Sequence, residues 1–235
     1  MKKTIVITGG TKGIGRAIAE KFASQGYNVA VCARSKSDLT SMLKYWHKHF
    51  KDSALYTFRA DLSRKVQLKA FADHLLARYE RIDILVNNAG TFVPGGILDA
   101  NEGDLESMIE TNLYSAYNMT RQLLPRFQEQ NVGQIYNMCS VASIMAYPNG
   151  GAYSISKFAL LGFTKCLREE LKHFNIKVTA VIPGATWTDS WAGAGFEQTR
   201  LMAAQDIADT IYSTSQLSSS SVVEEIIIRP QLGDL

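Results

Sequence analysis

Hydrophobic positions follow two alternating periods along the chain. Longer segments with 3.6-residue periodicity, such as GRAIAEKFASQ at 15–25 and KAFADHLLARYE at 69–80, separate short runs rich in β-branched and aromatic residues. The short runs lie at 3–8, 28–33, 54–60, 82–87, 134–140, 177–182 and 223–228. This alternation predicts successive β-α-β units from one end of the chain to the other.

The predicted strands are nearly continuous in apolar residues, which indicates a parallel sheet that helices cover on both faces. Right-handed crossovers then give a Rossmann-type, doubly wound α/β fold of about seven parallel strands, with its ligand cleft at the carboxyl ends of the strands. No linker divides the chain, so we expect a single domain over 1–235. The serine-rich segment 213–221 is predicted to be a surface loop before the last strand.

Composition narrows the class of protein. A chain of 235 residues with 46% apolar content fits one globular domain, and a net charge of +3 from scattered basic residues disfavours a nucleic-acid partner. An odd count of three cysteines favours a reduced, cytoplasmic protein. The short apolar stretch after the first lysines predicts no signal peptide, and no apolar run is long enough for a membrane span.

No metal is predicted either. The four histidines, His47, His49, His74 and His173, have no cysteine or carboxylate cluster that completes a ligand set.

The turn after the first strand is rich in glycine. Gly9, Gly13 and Gly15 lie between a strand and an amphipathic helix in VITGGTKGIGRAIAEKF. Glycines allow a sharp turn and close approach of a ligand, and the N-terminus of the helix offers N–H groups and a positive dipole end to a phosphate. No Gly-Lys-Ser/Thr follows, so the turn predicts a pyrophosphate site rather than a Walker loop, although a plain tight connection remains the alternative.

The end of the second strand indicates which dinucleotide binds. Arg34 stands nineteen residues after Gly15, with Ser35 beside it, where an NAD-binding chain usually has a carboxylate. Lys12 in the glycine turn is expected to approach the same point. Two cations favour the 2′-phosphate of NADP, and the alternative is that both are solvated surface cations.

Six motifs in order resemble the compact, one-domain short-chain dehydrogenase/reductases over essentially the whole chain. They are TGGTKGIG at 8–15, DLS at 61–63, NNAG at 87–90, the asparagine of ETNLYS at 112, the serine of MCSVAS at 140 with YSISK at 153–157, and PGATWT at 183–188. The resemblance implies an NADPH-dependent oxidoreductase that transfers a hydride to a ketone.

It also implies the site residues. The expected catalytic residues are Asn112, Ser140, Tyr153 and Lys157. The expected cofactor-binding residues are Gly9, Thr11, Lys12, Gly13, Ile14, Gly15, Arg34, Ser35, Asp61, Leu62, Asn88, Ala89, Gly90, Tyr153, Lys157, Pro183, Gly184, Thr186 and Thr188.

Tyr153 and Lys157 make chemical sense as a pair. Hydride transfer to a ketone leaves negative charge on oxygen, so the site must supply a proton and hydrogen-bond donors. The i, i+4 spacing puts Lys157 on the same helical face as Tyr153. We expect its charge to lower the pKa of the phenol from the usual value of about 10.

The segment after the sixth strand, at about 186–202, is rich in aromatic residues and glycine, which suits a flap over the substrate. The predicted substrate contacts are Phe92, Ile144, Tyr147, Trp187, Trp191 and Phe196, which favour an aromatic or bulky carbonyl compound. The alternative is that these side chains pack the loop or line a subunit interface.

Within the family, PGATWTDSW and the tail VVEEIIIRPQLGDL resemble bacterial sepiapterin reductases, which implies a pterin side-chain ketone as substrate. The guanidine-like edge of a pterin would bind a carboxylate, and Asp189, Glu197 and Asp234 are equal candidates for that contact. The alternatives are a 3-oxoacyl-[acyl-carrier-protein] reductase, a non-catalytic NADP(H)-binding regulator and an interaction module. The resemblance also implies a homodimer or homotetramer.

Overall fold

The computed structural model describes residues 2–188 and 195–234. Its strands form one parallel seven-stranded sheet in the order β3-β2-β1-β4-β5-β6-β7. The strands are β1 Thr4–Thr8, β2 Asn28–Ala33, β3 Leu55–Arg59, β4 Ile84–Asn87, β5 Gly133–Met138, β6 Ile176–Pro183 and β7 Glu225–Ile228. The sheet is therefore the doubly wound type that the hydrophobic pattern predicts.

Helices connect the strands and cover the sheet. In the described part of the chain the α-helices are α1 Gly13–Ser24, α2 Lys36–His49, α3 Lys65–Arg78, α4 Asp104–Ile109, α5 Ser115–Gln130, α6 Gly151–Leu171 and α7 Ala204–Ser215. Helix α7 extends to Ser215, so the predicted serine-rich loop starts later than expected, and residues 213–215 form the last helical turn. None of the described helices combines the length and hydropathy needed to cross a bilayer.

Two apolar layers sandwich the sheet because alternate strand residues point to opposite faces. In β1, Ile5 and Ile7 join the core beneath α1, α2 and α7, whereas Val6 joins the core beneath α3 and α5. Phe22 of the first layer and Phe127 of the second are both fully buried. Burial on both faces explains why the strand sequences are almost continuously hydrophobic.

A buried polar network crosses the middle of the second layer. Asn87 at the end of β4 donates through Nδ2 to Thr120 Oγ1 at 3.0 Å and to Asn137 Oδ1 at 2.8 Å. Asn137 in turn donates to Thr164 Oγ1 at 2.9 Å. The network links β4 and β5 to α5 and α6, so it fixes the position of the helix that carries Tyr153.

Strand order reverses between β1 and β4, because β1 pairs with β2 on one side and with β4 on the other. The connections that leave these two strands go to opposite faces of the sheet, and a crevice opens at their carboxyl ends. The glycine turn that follows β1 and the NNAG segment at the end of β4 lie at this crevice.

Candidate active site

The loops that follow β1 and β4 are joined by reciprocal hydrogen bonds between Thr8 and Asn88. Thr8 Oγ1 accepts from the backbone N–H groups of Asn88 and Ala89, both at 2.9 Å. Asn88 Nδ2 donates to the carbonyl oxygens of Thr8 at 2.9 Å and Gly9 at 3.0 Å. Gly9 adopts φ +65°, which disfavours any residue with a side chain. This Thr8–Asn88 clamp sets the floor of the crevice.

Two cavities meet above the clamp, with volumes of about 510 Å³ and about 300 Å³. Their shared lining residues are Lys12, Asn88, Gly90 and Thr188. The larger, which we call the glycine-turn cavity, is also lined by Gly9, Thr11, Gly13, Arg34, Ser35, Asp61, Leu62 and Ala89. The smaller, which we call the tyrosine cavity, is also lined by Ile14, Gly15, Phe92, Ser140, Tyr153, Lys157, Pro183, Gly184 and Thr186. Every predicted cofactor residue thus lines one of two adjoining cavities.

The charges at the far end of the glycine-turn cavity differ from the expected arrangement. Lys12 Nζ lies 3.2 Å from Asp38 Oδ2, and both residues line the cavity together with Arg34. The carboxylate of Asp38 therefore partly neutralises the charge of Lys12, whereas the sequence predicts that Lys12 and Arg34 act together on a phosphate. Asp61 Oδ1 accepts from Ser63 N at 3.1 Å and Ser63 Oγ at 2.8 Å, which closes a turn ahead of α3.

Tyr153 and Lys157 project from α6 into the tyrosine cavity, as their spacing predicts. Lys157 is only 5% exposed; its Nζ donates to the Met138 carbonyl oxygen at 2.7 Å and lies 5.6 Å from the centre of the Tyr153 ring. The helix thus presents both side chains at the end of β5.

Ser140 follows β5 and caps a single 3₁₀ turn at Val141–Ser143. Its Oγ accepts from Ala142 N at 3.1 Å, and Ser143 Oγ accepts from Ser140 N at 3.1 Å. These reciprocal bonds fix the orientation of the Ser140 hydroxyl, which keeps its own hydrogen for donation into the cavity.

Asn112 lies in a π-helical turn, Glu110–Tyr114, between α4 and α5. Its Oδ1 accepts from Thr91 N at 2.7 Å, and its Nδ2 donates to Thr91 O at 3.0 Å and to Ser156 Oγ at 2.9 Å. The Asn112 side chain therefore ties the loop after β4 to α6 beside Lys157. The sequence did not predict the π turn, a feature frequent at functional sites.

Burial dominates the electrostatics of the pair. It raises the pKa of Tyr153 above 10, and the hydrogen bond with Ser140 only partly opposes this rise. Burial also lowers the pKa of Lys157 to about 8. The direction for Tyr153 is opposite to the expected one, because a low-dielectric site penalises the charged phenolate.

The predicted substrate residues are only partly assembled around the tyrosine cavity. Phe92 lines it and packs edge-on against Tyr153, with ring centres 5.0 Å apart. Ile144, Tyr147, Trp187 and Phe196 lie outside the lining of both cavities, and their contact with a substrate stays a prediction. Trp191 and Asp189 fall outside the described residues.

The two ends of the predicted flap are held together, and the chain's last residues pack against one of them. Trp187 N donates to Met202 O at 2.8 Å, and Met202 N donates to Ala185 O at 3.0 Å. Arg200 donates to the carbonyl oxygens of Gly233 and Asp234, both at 3.1 Å. The tail therefore supports the 183–188 segment that lines the tyrosine cavity.

Sequence reasoning missed several lining residues. Thr91, Met138 and Cys139 line the tyrosine cavity, and Thr111 lines the glycine-turn cavity. Thr91 follows Gly90 and Cys139 precedes Ser140, so their position next to predicted site residues is the one feature of the sequence that indicates them. Within residues 2–188 and 195–234, no cluster of three or more His, Cys, Asp or Glu side chains is placed to hold a metal ion.

Known proteins resemble this chain along its length. A family model described as short chain dehydrogenase matches residues 3–199. A sepiapterin reductase from Chlorobaculum tepidum is 33% identical over 243 residues, covering 100% of this chain and 99% of the relative. A 3-oxoacyl-[acyl-carrier-protein] reductase from Staphylococcus epidermidis is 30% identical over 190 residues, covering 80% of this chain and 77% of the relative.

Among solved structures, a metagenomic short-chain oxidoreductase in complex with NADP superposes with a TM-score of 0.84. It is 29% identical and covers 97% of both chains. The likeness therefore covers nearly the whole fold.

Gly15→Ala tests the close approach of the glycine turn. An added Cβ would lie 2.5 Å from the Gly9 carbonyl oxygen and also meet the Asn88 side chain, so the turn must shift. We expect NADPH, the cofactor that the sequence predicts, to bind at least tenfold more weakly in fluorescence titration. The matched control is Gly162→Ala in α6, where a Cβ meets nothing within 4 Å. Equal affinity in both variants would contradict the assignment of this turn as a ligand site.

Proposed function

We infer that this chain, which belongs to the short chain dehydrogenase family, is an NADP-dependent oxidoreductase that reduces a ketone, with Tyr153 as the proton donor. The observation that carries the proposal is the placement of Tyr153, Lys157 and Ser140 in the cavity that adjoins the glycine turn. A dinucleotide that spans both cavities would bring its reactive end to these three side chains.

The residues present fit an NADP(H) molecule. The first turn of α1 offers backbone N–H groups to a pyrophosphate, and the close packing at Gly15 leaves no room for a side chain. Arg34 at the end of β2 would hold the 2′-phosphate, whereas Tyr153, Lys157, Thr186 and Thr188 would surround the nicotinamide riboside. When bound, reduced nicotinamide supplies the hydride that the carbonyl carbon receives.

The chain's own contribution is proton supply and electrostatics. A carbonyl oxygen that accepts hydride at its carbon becomes an alkoxide and needs a proton, which Tyr153 would donate. Burial raises the pKa of this phenol, so it stays protonated near neutrality, in the form that reduction requires. Ser140 would donate a second hydrogen bond to the same oxygen, and Lys157 would stabilise the phenolate that remains.

The proposed substrate is a pterin side-chain ketone, as in the sepiapterin reductase relative. Phe92, which packs edge-on to Tyr153 and is 46% exposed, would stack against a flat ring. Within residues 2–188 and 195–234, Asp234 forms an ion pair with Arg229, whereas Glu197 accepts a side-chain hydrogen bond from Thr199 at 3.4 Å. Glu197 therefore has more capacity left for a guanidine-like edge than Asp234.

We further propose that the chain works as one domain, with residues 186–202 as a flap, and that it assembles as a homodimer or homotetramer. Four large apolar or aromatic side chains of α6, α5 and the preceding π turn are exposed on the single chain. They are Tyr114, Tyr117, Ile155 and Phe158. Burial of these side chains against a second copy would remove an apolar face from water.

NADPH oxidation with two carbonyl compounds tests the proposed function. We expect purified protein to reduce sepiapterin, and Tyr153→Phe to lower kcat by about 10²- to 10⁴-fold, because the ring remains and the proton donor is lost. Tyr45→Phe, on the exposed face of α2, is the matched control and should keep wild-type activity. Equal rates for wild type and Tyr153→Phe would rule out the mechanism. Turnover of an acetoacetyl thioester with sepiapterin untouched would support the acyl-carrier alternative instead.

Arg34→Asp tests the choice of cofactor. A carboxylate in place of the guanidinium should repel a 2′-phosphate and accept from a 2′-hydroxyl, so the ratio of kcat/KM for NADPH to that for NADH should fall by about tenfold or more. Arg34→Lys retains the charge without the fork of donors and should have a smaller effect. An unchanged ratio in Arg34→Asp would mean that Arg34 does not contact the phosphate.

The pH dependence of kcat/KM for NADPH reports ionisations of the free enzyme. The pKa of Lys157 is lowered to about 8, so its ammonium is present below that pH and is lost above it. The raised pKa of Tyr153 keeps the phenol protonated across the same range. We therefore expect a plateau in steady-state measurements below about pH 8 and a decline above it. A profile that stays level through pH ~10, near the usual lysine pKa, would contradict this role.

A further inference from the structure

We propose that Arg59, together with Arg34, selects the 2′-phosphate of NADP(H). This inference rests on the proposed function and adds a residue that none of the sequence motifs includes. Arg59 is the last residue of β3, and in the sheet register it lies opposite Ala33, the residue before Arg34. The parallel pairing of β2 and β3 therefore brings the two arginines to the same edge.

A direct hydrogen bond orients the Arg59 side chain. Its Nε donates to the backbone carbonyl oxygen of Arg34 at 3.1 Å. This bond uses one of the five guanidinium donors and holds the planar group beside the backbone that carries Arg34. A guanidinium fixed in this way loses less freedom when it binds an anion than a freely rotating one would.

Arg34 and Arg59 line a third cavity, of about 530 Å³, together with Asp61. Arg34 and Asp61 also line the glycine-turn cavity, so the two spaces adjoin at these side chains. A phosphate on the ribose 2′-oxygen at this boundary would be within reach of both arginines, whereas the pyrophosphate would lie in the glycine-turn cavity and the nicotinamide in the tyrosine cavity.

The local charge balance explains why a second arginine matters. The charged side chains that line the two spaces are Lys12, Arg34 and Arg59 on one side and Asp38 and Asp61 on the other. Three cations thus face two carboxylates, and the excess of one positive charge disappears if Arg59 is removed. A 2′-phosphate near neutrality carries between one and two negative charges, so it should be sensitive to that difference.

The three cations also differ in whether a carboxylate already neutralises their charge. Lys12 pairs with Asp38, but within residues 2–188 and 195–234 neither Arg34 nor Arg59 forms an ion pair with a carboxylate. Both arginines are exposed. Unpaired, adjacent guanidinium groups repel each other, and a shared anion relieves that repulsion while it receives planar donors from both.

Calorimetric titration with two nucleotides separates recognition of the phosphate from recognition of the adenosine. We expect Arg59→Ala to weaken binding of 2′,5′-ADP by about five- to tenfold at low salt and to leave 5′-AMP unchanged, since only the former carries the 2′-phosphate. Arg59→Lys keeps the charge but not the planar donors, and should lie between wild type and Arg59→Ala. Arg121→Ala, which removes an exposed arginine of α5, is the control and should not change either affinity.

Three results would contradict the inference or its premise, and they are distinguishable. If Arg59→Ala binds 2′,5′-ADP as wild type does while Arg34→Asp binds it weakly, Arg59 has no part in selection and the proposed cofactor stands. If Arg59→Ala weakens both nucleotides equally, its role is structural support of the edge, and the inference is wrong. If the wild type itself does not prefer 2′,5′-ADP to 5′-AMP, the proposed NADP(H) specificity fails first.

Discussion

The clamp between Thr8 and Asn88 is the interaction on which the rest of the site depends. The connections that leave β1 and β4 diverge to opposite faces of the sheet where the strand order reverses, and the four hydrogen bonds of the clamp join the two loops just beyond the paired strands. One side of the clamp carries the glycine turn, and the other side leads through Gly90 to the loop that Asn112 holds. The two cavities are lined by different strands, helices and loops, and the clamp therefore holds them in alignment.

Desolvation then decides the chemistry that the aligned cavities support. The site buries a phenol and an ammonium a few ångströms apart, and a low-dielectric surrounding disfavours the charged form of each. The phenol is kept as an acid and the lysine remains charged only up to about pH 8. Such a site is better prepared to give a proton than to take one, which agrees with reduction as the proposed direction.

Local pattern was enough to predict the strands, the helix that carries Tyr153 and Lys157, and the glycine turn, because each depends on neighbours in the sequence. What pattern could not predict depends on distant parts of the chain. Lys12 in the glycine turn forms an ion pair with Asp38 of α2, and Lys157 donates to the Met138 carbonyl oxygen. Arg59 contacts Arg34 only because β2 and β3 pair in one register. The π turn at Asn112 and the raised pKa of Tyr153 likewise follow from packing, which no single segment encodes.

In the mechanism proposed above, one dinucleotide spans both cavities and presents its nicotinamide to Tyr153. A crystal structure of the protein with NADP⁺ tests this most directly. We expect the pyrophosphate against the first turn of α1, the 2′-phosphate beside Arg34 and the nicotinamide ring between Tyr153 and the 183–188 segment. A nucleotide bound with its 2′-phosphate away from Arg34, or with its nicotinamide outside the tyrosine cavity, would contradict the claim.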